Sequence, residues 1–223
     1  MTETYFTPLK ETMHTVSSGL LIPTITILLF LLALSVFELG GVLVEAIAVR
    51  RTMKVNVREL INGFQKLDID EIMAQIERSR MFRRHKSVLV ELIEHRNLSA
   101  ASLQALARRL LTNEELRYER ITNRTDLVTR LGPMLGLMAT LIPLGPGLIA
   151  LGEGDTKTLA DSLLTAFDAT VTGLAAGGLA YAVSRLRKRW YEDYLSTLEV
   201  LMESLMEVFA HRRRIEEQKA LEV

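Results

Sequence analysis

The stretch 162–184, SLLTAFDATVTGLAAGGLAYAVS, decides the fold of this 223-residue chain. It contains a single charged residue, Asp168, and a basic cluster at 185–189 closes it. About 20 helical residues cross the hydrocarbon core of a bilayer, so this stretch is long enough to do so. It therefore predicts a transmembrane helix that carries a carboxylate near its middle.

Two further runs have the same apolar character. Residues 131–151, LGPMLGLMATLIPLGPGLIAL, hold no charge, and neither do residues 19–37, after which apolar residues resume as far as Val49. Because only ten residues separate 131–151 from 162–184, these two runs are predicted to form a helical hairpin. A signal peptide is the alternative for the first run, but its leader is nearly neutral and a basic stretch follows it directly. We predict transmembrane helices at 19–49, 131–151 and 162–184.

Charge placement predicts the orientation of these spans. Residues 50–130 contain 17 Lys and Arg against 11 Asp and Glu, whereas residues 152–161 contain one Lys and three acids. Cytoplasmic segments beside membrane spans are enriched in Lys and Arg. We therefore expect an extracytoplasmic segment at 1–18, an outer loop at 152–161, and cytoplasmic regions at 50–130 and 185–223. The expected location is the cytoplasmic (inner) membrane.

The two predicted cytoplasmic regions have the pattern of helices. Between Val55 and Arg130, glycine and proline are nearly absent and apolar residues recur at three- and four-residue spacing. Ser99 is a candidate N-cap for one helix, and Asn113, followed by two glutamates, for the next. A stripe in 185–223 predicts that the third span continues as a long helix packed against its neighbours; its members are Tyr194, Leu198, Leu201, Leu205 and Val208. The predicted fold class is all-α, a three-span bundle with long cytoplasmic helical extensions.

Composition argues against several kinds of site. The chain has no cysteine and only four scattered histidines, so neither disulfides nor a metal site is expected. We also expect no cofactor and no nucleic-acid partner. The tetrapeptide at 152–155, GEGD, matches the G-x-G-D of intramembrane aspartyl proteases, but that chemistry needs a second carboxylate that shares a proton inside the membrane. A tight turn that uses its glycines is the preferred interpretation.

Four polar residues of the third span share one helical face. They are spaced by four, three and four residues: Asp161, Thr165, Asp168 and Thr172. A charged side chain at the centre of a span costs about 2.5–3.5 kcal/mol on insertion scales, so Asp168 must face protein or water, or be protonated. Two interpretations remain open for this stripe. It lines an ion path, or it makes an interhelical hydrogen bond that only holds the bundle together.

Small residues repeat every four positions in both spans of the hairpin. In the second span these are Gly132, Gly136 and Thr140, and in the third they are Ala169, Gly173 and Gly177. Such spacing lets helix backbones approach closely in lipid. We therefore predict that the four glycines are helix-packing residues.

The first span carries two acids on one face of its inner half. Glu38 and Glu45 lie seven residues apart, and Arg50 and Arg51 follow shortly after Glu45. This placement predicts that Glu45 is interfacial and solvated. Glu38 lies deeper and is a candidate for a contact with a partner chain or a neighbouring subunit.

Two blocks of the hairpin resemble a known family. Residues 132–140, GPMLGLMAT, resemble the "APLLGLLGTV" opening of the second span in the MotA/TolQ/ExbB proton channel family. Residues 169–176, ATVTGLAA, resemble that family's "ATAxGLxAA" in the last span. The order of elements is similar to that of ExbB and TolQ. The resemblance implies an ion-conducting subunit of a gradient-driven motor, moving protons or sodium ions. It also implies five copies around a dimer of a single-span ExbD-, TolR- or MotB-like partner, whose intramembrane aspartate carries the ion.

The resemblance also assigns roles within the spans. Thr140 and Thr170 match the family's two pore-facing threonines, while Thr165 stands where ExbB and TolQ commonly have glutamate. The acid of this chain comes three residues later, so Asp168 is expected to be an auxiliary site. The predicted ion pathway comprises Thr140, Thr165, Asp168, Thr170 and Thr172. The alternative function is a non-conducting membrane scaffold that recruits partners through its cytoplasmic helices.

Overall fold

The computed structural model describes residues 11–13, 15–49 and 56–221, and these contain helices without any strand. Helix α1 is Leu21–Val44, continued by a π-helical segment at Glu45–Val49. Five further α-helices follow in the described chain: α2 at Val57–Lys66, α3 at Ile69–Arg78, α4 at Arg83–Glu94, α5 at Ala100–Gly152 and α6 at Thr156–Leu221. The predicted all-α fold class is confirmed. Most of the predicted segment 1–18, and the basic residues at 50, 51 and 54, lie outside the described residues.

Three helices are long and apolar enough to cross a membrane. They extend over Glu11–Ile47, Ala100–Gly152 and Thr156–Lys219, and each contains one of the predicted apolar runs. Many large apolar side chains on these helices are exposed, among them Phe30, Phe37, Met134, Leu141, Phe167 and Val171. A water-soluble protein rarely exposes large contiguous apolar patches, whereas lipid or a neighbouring span would cover them. The chain is therefore a membrane protein with three candidate spans.

The described chain divides into two compact units. Unit 1 comprises the residues up to Val42 together with Thr122–Leu186, and unit 2 comprises Leu43–Ile121 together with Arg187–Val223. Unit 1 holds most of the apolar runs, and unit 2 holds the short helices with the flanking parts of α5 and α6. Each unit has its own buried side chains.

In unit 1, helix α1 packs through one stripe of side chains. The buried members are spaced by three, four or seven residues: Thr24, Leu28, Leu31, Ser35 and Val42. Leu28 packs against Ala139 and Ala169, and the Ser35 hydroxyl donates to the carbonyl oxygen of Ala176 at 2.9 Å. A hydroxyl that bonds a backbone carbonyl across spans satisfies a polar group that lipid could not. This contact fixes α1 against α6.

In unit 2, the short helices and α6 enclose an apolar core. The side chains of Phe64, Ile76 and Leu89 are fully buried in it. They pack with the α6 residues Leu198, Leu201 and Leu205, which are 0% exposed. The predicted packing of the stripe 194–208 against neighbouring helices is thereby confirmed. Local sequence sets the helix starts, because Asn56 accepts from the Glu59 N–H and Asp68 and Glu71 form a capping box.

One of the two predicted N-caps between 99 and 113 is correct. The Ser99 hydroxyl accepts from the Ser102 N–H at 3.2 Å, and α5 begins at the next residue. The prediction for Asn113 is wrong, because α5 continues through it. The physical reason is that the buried face is uninterrupted there: Leu110, Glu114 and Tyr118 continue it at four-residue spacing.

Candidate functional site

The centre of the hairpin is a seam where two backbones meet. A Cβ atom added to Gly132 would lie 2.9 Å from the carbonyl oxygen of Gly173 and 2.9 Å from the nitrogen of Gly177. A Cβ added to Gly136 would lie 3.2 Å from the Cα of Gly173. The four glycines thus lie on facing sides of α5 and α6. Only residues without a side chain allow helices to approach this closely.

The seam continues toward the hairpin turn. A Cβ at Gly147 would lie 2.9 Å from the Cβ of Ser162, although neither residue was predicted to pack. Small residues therefore line the interface over most of the hairpin's length. The glycine face of α6 is therefore covered by α5.

Asp168 lies on a different face of α6 from the seam. It lines a recess of about 210 Å³ together with Thr165, Thr172 and the α1 side chains Ile25 and Leu29. Asp168 and Thr165 are exposed in the single chain. Three of the four residues of the predicted polar stripe therefore lie together, and Asp161 continues the stripe one turn away from Thr165.

Thr140 and Thr170 do not line this recess. Thr170 follows Asp168 by two residues, which places it about 200° further around the helix at 3.6 residues per turn. It is partly buried, and its carbonyl oxygen is among the atoms nearest to Gly136. Thr140 lies one turn beyond Gly136 in α5 and is also partly exposed. The structure therefore divides the five predicted pathway residues into two groups, three that line the recess and two, Thr140 and Thr170, that lie outside it.

The threonine hydroxyls of both groups are held in the same way. Each donates to a carbonyl oxygen of the preceding turn: Thr140 to Leu137, Thr165 to Asp161, Thr170 to Ala166 and Thr172 to Asp168. Their oxygen lone pairs remain available as acceptors. In this arrangement the hydroxyl oxygens can accept a hydrogen bond or coordinate a cation. Each hydroxyl must rotate before it can donate a hydrogen bond to another group.

Glu38 and Glu45 lie on the face of α1 that packs against the rest of the chain. They extend the buried stripe of α1 at the same three- and four-residue spacing, and Glu38 is partly exposed between Ser35 and Val42. The Glu45 carboxylate lies 3.7 Å from Nε of Arg187, and its side chain is only 19% exposed. The prediction that Glu45 is solvated is therefore wrong, since Arg187 covers it.

The tetrapeptide 152–155 forms the turn of the hairpin. Gly154 has a φ of +82°, a left-handed conformation that favours glycine. Asp155 caps α6, because its Oδ1 accepts from the N–H groups of Lys157 and Thr158 and its Oδ2 accepts from the Thr158 hydroxyl. The Thr158 hydroxyl, followed by the N–H groups, holds the pKa of Asp155 below its usual value. Both features support the turn interpretation.

Asp155→Ala should therefore lower the thermal unfolding temperature of the purified protein by a few degrees, whereas Asp155→Asn should preserve it. Asparagine accepts the same N–H bonds at an N-cap, and alanine does not. Because the pKa of Asp155 is lowered, its contribution is complete above about pH 4 and is lost as the pH falls through the lowered value. Thermal unfolding in detergent at neutral pH tests this. Equal losses in the two variants would contradict the capping role.

One polar contact between the spans was not predicted. The Ser184 hydroxyl donates to Oδ1 of Asp126, which joins α6 to α5. Thr122 and Thr125, which are buried, lie close by in sequence. The signal was present, because threonines at 122, 125 and 129 precede Gly132 and Gly136 at three- and four-residue spacing. Continuing the glycine spacing toward the N-terminus would therefore have predicted that these threonines also lie at the α5–α6 interface.

The described residues contain no group of three or more His, Asp or Glu side chains that could hold a metal ion. What they define is a membrane hairpin with a glycine seam, a first span packed against it, and helices that continue far beyond the apolar runs. A sequence model of the MotA/TolQ/ExbB proton channel family matches residues 68–200, more than half of the chain. The chain belongs to this family.

The family is a transport family of membrane motor subunits that generally work with ExbD-, TolR- or MotB-type partners. Comparisons with curated proteins and with solved structures find no match.

Proposed function

We propose that this chain is an ion-conducting subunit of a gradient-driven motor in the inner membrane. Five copies surround a dimer of a single-span ExbD-, TolR- or MotB-like partner, and protons are the transported ion, with sodium as the alternative. Ion flow moves the ring relative to the partner and delivers mechanical work. The N-terminus lies outside and the C-terminus in the cytoplasm, as the distribution of Lys and Arg favours.

The observation that carries this proposal is the exposed position of Asp168 in the middle of the third span. A carboxylate facing lipid at that depth is costly, so its face needs water, another copy of the chain or a partner. A recess of 210 Å³ beside it would accommodate about seven waters at the roughly 30 Å³ that each occupies in liquid. A hydrated acid in an assembled ring fits an ion path better than a packing hydrogen bond.

The two groups of polar residues take different parts in this proposal. Thr140 and Thr170 border the hairpin interface and supply the path beside the partner's aspartate, as the family resemblance implies. Asp168 with Thr165 and Thr172 forms an auxiliary site beside α1 that adjusts the local field or hydration. A contact of Glu38 with the partner remains part of the proposal.

Ion uptake by liposomes containing the chain and its partner tests the proposal. Thr170→Ala and Asp168→Asn should each slow proton uptake in sodium-free medium by roughly tenfold or more, which corresponds to about 1.4 kcal/mol in the barrier. Thr26→Ala is the matched control, since Thr26 is exposed on α1 and its hydroxyl also donates to its own helix, to Ile22 at 2.8 Å.

Two outcomes would count against conduction by this path. If uptake occurs and both variants equal wild type and Thr26→Ala, the proposed residues do not form the path. If the assembled complex shows no uptake at all while its cytoplasmic helices still bind partners, the chain is a membrane scaffold.

A further inference from the structure

A second recess lies in unit 2, away from the proposed ion path. Its volume is about 260 Å³, and its lining includes Arg83 and Arg84 from the start of α4, Arg117 and Tyr118 from α5, and Tyr191 from α6. Glu45, at the beginning of the π-helical segment, also lines it. Four separate elements thus contribute to one pocket, and three of the contributed side chains are arginines.

The positive charge of this recess exceeds the negative charge around it. Glu45 is its only lining carboxylate among the described residues, and Glu45 is already engaged by Arg187. Arg117 has an acidic neighbour outside the lining, Glu114, at 3.4 Å. Within the described parts of the chain, neither Arg83 nor Arg84 forms an ion pair. Clustered guanidinium groups repel one another, and an anion placed between them relieves this repulsion.

The aromatic wall of the recess is held rigidly. The Tyr118 ring stacks on Tyr191 with 4.3 Å between ring centroids. The Tyr118 hydroxyl lies 2.9 Å from Nε2 of His85, which is 3% exposed. Burial raises the pKa of Tyr118 to about 12, so this hydroxyl stays neutral and adds no negative charge. The lining therefore combines an aromatic surface with the arginines.

The size of the recess restricts its ligand. Small-molecule sites usually measure about 300–1,000 Å³, so a recess of about 260 Å³ suits a phosphate with a small substituent. Guanidinium groups bind phosphate oxygens in paired hydrogen bonds. The first turn of α4 contains no acidic residue, and no side chain among the described residues caps it. Its free N–H groups would therefore add favourable interactions with an anion already held by the arginines.

We propose that this recess binds a phosphate group, carried either by an anionic phospholipid headgroup or by a small soluble phosphate compound. The lipid source is favoured by Glu45, which lies in sequence at the inner end of the first apolar run. Bound lipid would join the π-helical segment to α4, α5 and α6 through one anion. The site requires no ion conduction and stands apart from the proposed motor function.

The test uses the full-length protein purified from phosphatidylcholine bilayers prepared with and without phosphatidylglycerol. Native mass spectrometry measures the phosphatidylglycerol that stays bound after detergent release, and a separate titration with inorganic phosphate follows thermal unfolding in detergent. The test variant is Arg83→Gln/Arg84→Gln/Arg117→Gln. The matched control is Arg109→Gln/Arg120→Gln/Arg124→Gln, which removes the same charge from exposed positions outside the recess.

Wild type and control should retain phosphatidylglycerol, and the test variant should lose at least about tenfold in affinity, since each charge-assisted hydrogen bond contributes substantially. Protection of wild type and control by inorganic phosphate, with no lipid retained, would assign the site to a soluble phosphate. The proposal is overturned if the test and control variants retain phosphatidylglycerol equally, or lose it equally, and inorganic phosphate also raises their unfolding temperatures by the same amount. If the triple variant does not fold, Arg83→Gln/Arg84→Gln replaces it, because both side chains are exposed.

Discussion

Gly173→Ala is expected to lower the free energy of unfolding by about 2–3 kcal/mol, although alanine is the better helix former. Its added Cβ would lie 2.7 Å from the carbonyl oxygen of Gly132 and 2.8 Å from the Cα of Gly136. Both neighbours are backbone atoms and cannot rotate away, so the two helices must separate. Separation weakens every dispersion contact along the seam, and this outweighs the gain of about 1 kcal/mol in helix propensity.

Gly178→Ala is the matched control for this prediction. Gly178 lies in the same helix five residues later, and a Cβ there would have no heavy atom of the described residues within 4 Å. It gains the same helix propensity without the collision, so its stability should equal or exceed that of wild type. Unfolding in detergent by titration with a denaturing surfactant measures both. A Gly173→Ala variant as stable as Gly178→Ala would show that the seam is looser than the structure describes.

Leu201→Ala is expected to destabilise the protein by about 2–5 kcal/mol. Leu201 is 0% exposed and packs in the unit 2 core with Phe64, Ile76 and Leu205. Removing its side chain forfeits the burial of three carbons and leaves a cavity that the surrounding helices can close only in part. The effect should be largest on the short helices α2 to α4, whose apolar faces rest on this part of the core.

The neighbouring Val200→Ala provides the comparison. Val200 is 41% exposed, so its truncation should change stability by less than about 0.5 kcal/mol. Denaturant unfolding in micelles gives the two values, and hydrogen exchange over 57–94 locates the loss. Equal effects of the two substitutions would mean that α6 does not contribute Leu201 to the core.

Two faces of helix α6 have different neighbours in the third span. The glycine face meets α5, and the face of Asp168 borders a recess beside α1. Spacing alone indicates that Asp168 and Thr170 point to nearly opposite sides, yet both were assigned to one pathway because the family resemblance placed them in the same span. Separate variants of the two residues are therefore needed, since each would meet a different neighbour in an assembled ring.

Local sequence signals predicted the elements of this fold well. Three apolar runs predicted the three candidate spans, Ser99 predicted a helix start, and the stripe from Tyr194 to Val208 predicted a packed helix. Such features depend on hydropathy and on hydrogen bonds within a few residues, so they survive without tertiary information. The predicted helix start at Asn113 was wrong because it rested on local sequence alone. A good capping residue does not interrupt a helix whose buried face continues past it.

The sequence by itself determined that this chain has three candidate membrane spans, a short hairpin turn and an acid within the third apolar run, because an apolar run of span length and its charged flanks have few alternatives in water or lipid. The tertiary structure alone decided which residues meet. It paired Gly132 with Gly173 and Gly177, joined Asp126 to Ser184, covered Glu45 with Arg187, and gathered three arginines around one recess. These partners lie far apart in the chain, and the spacing within one helix cannot specify which side chain of another helix will face it.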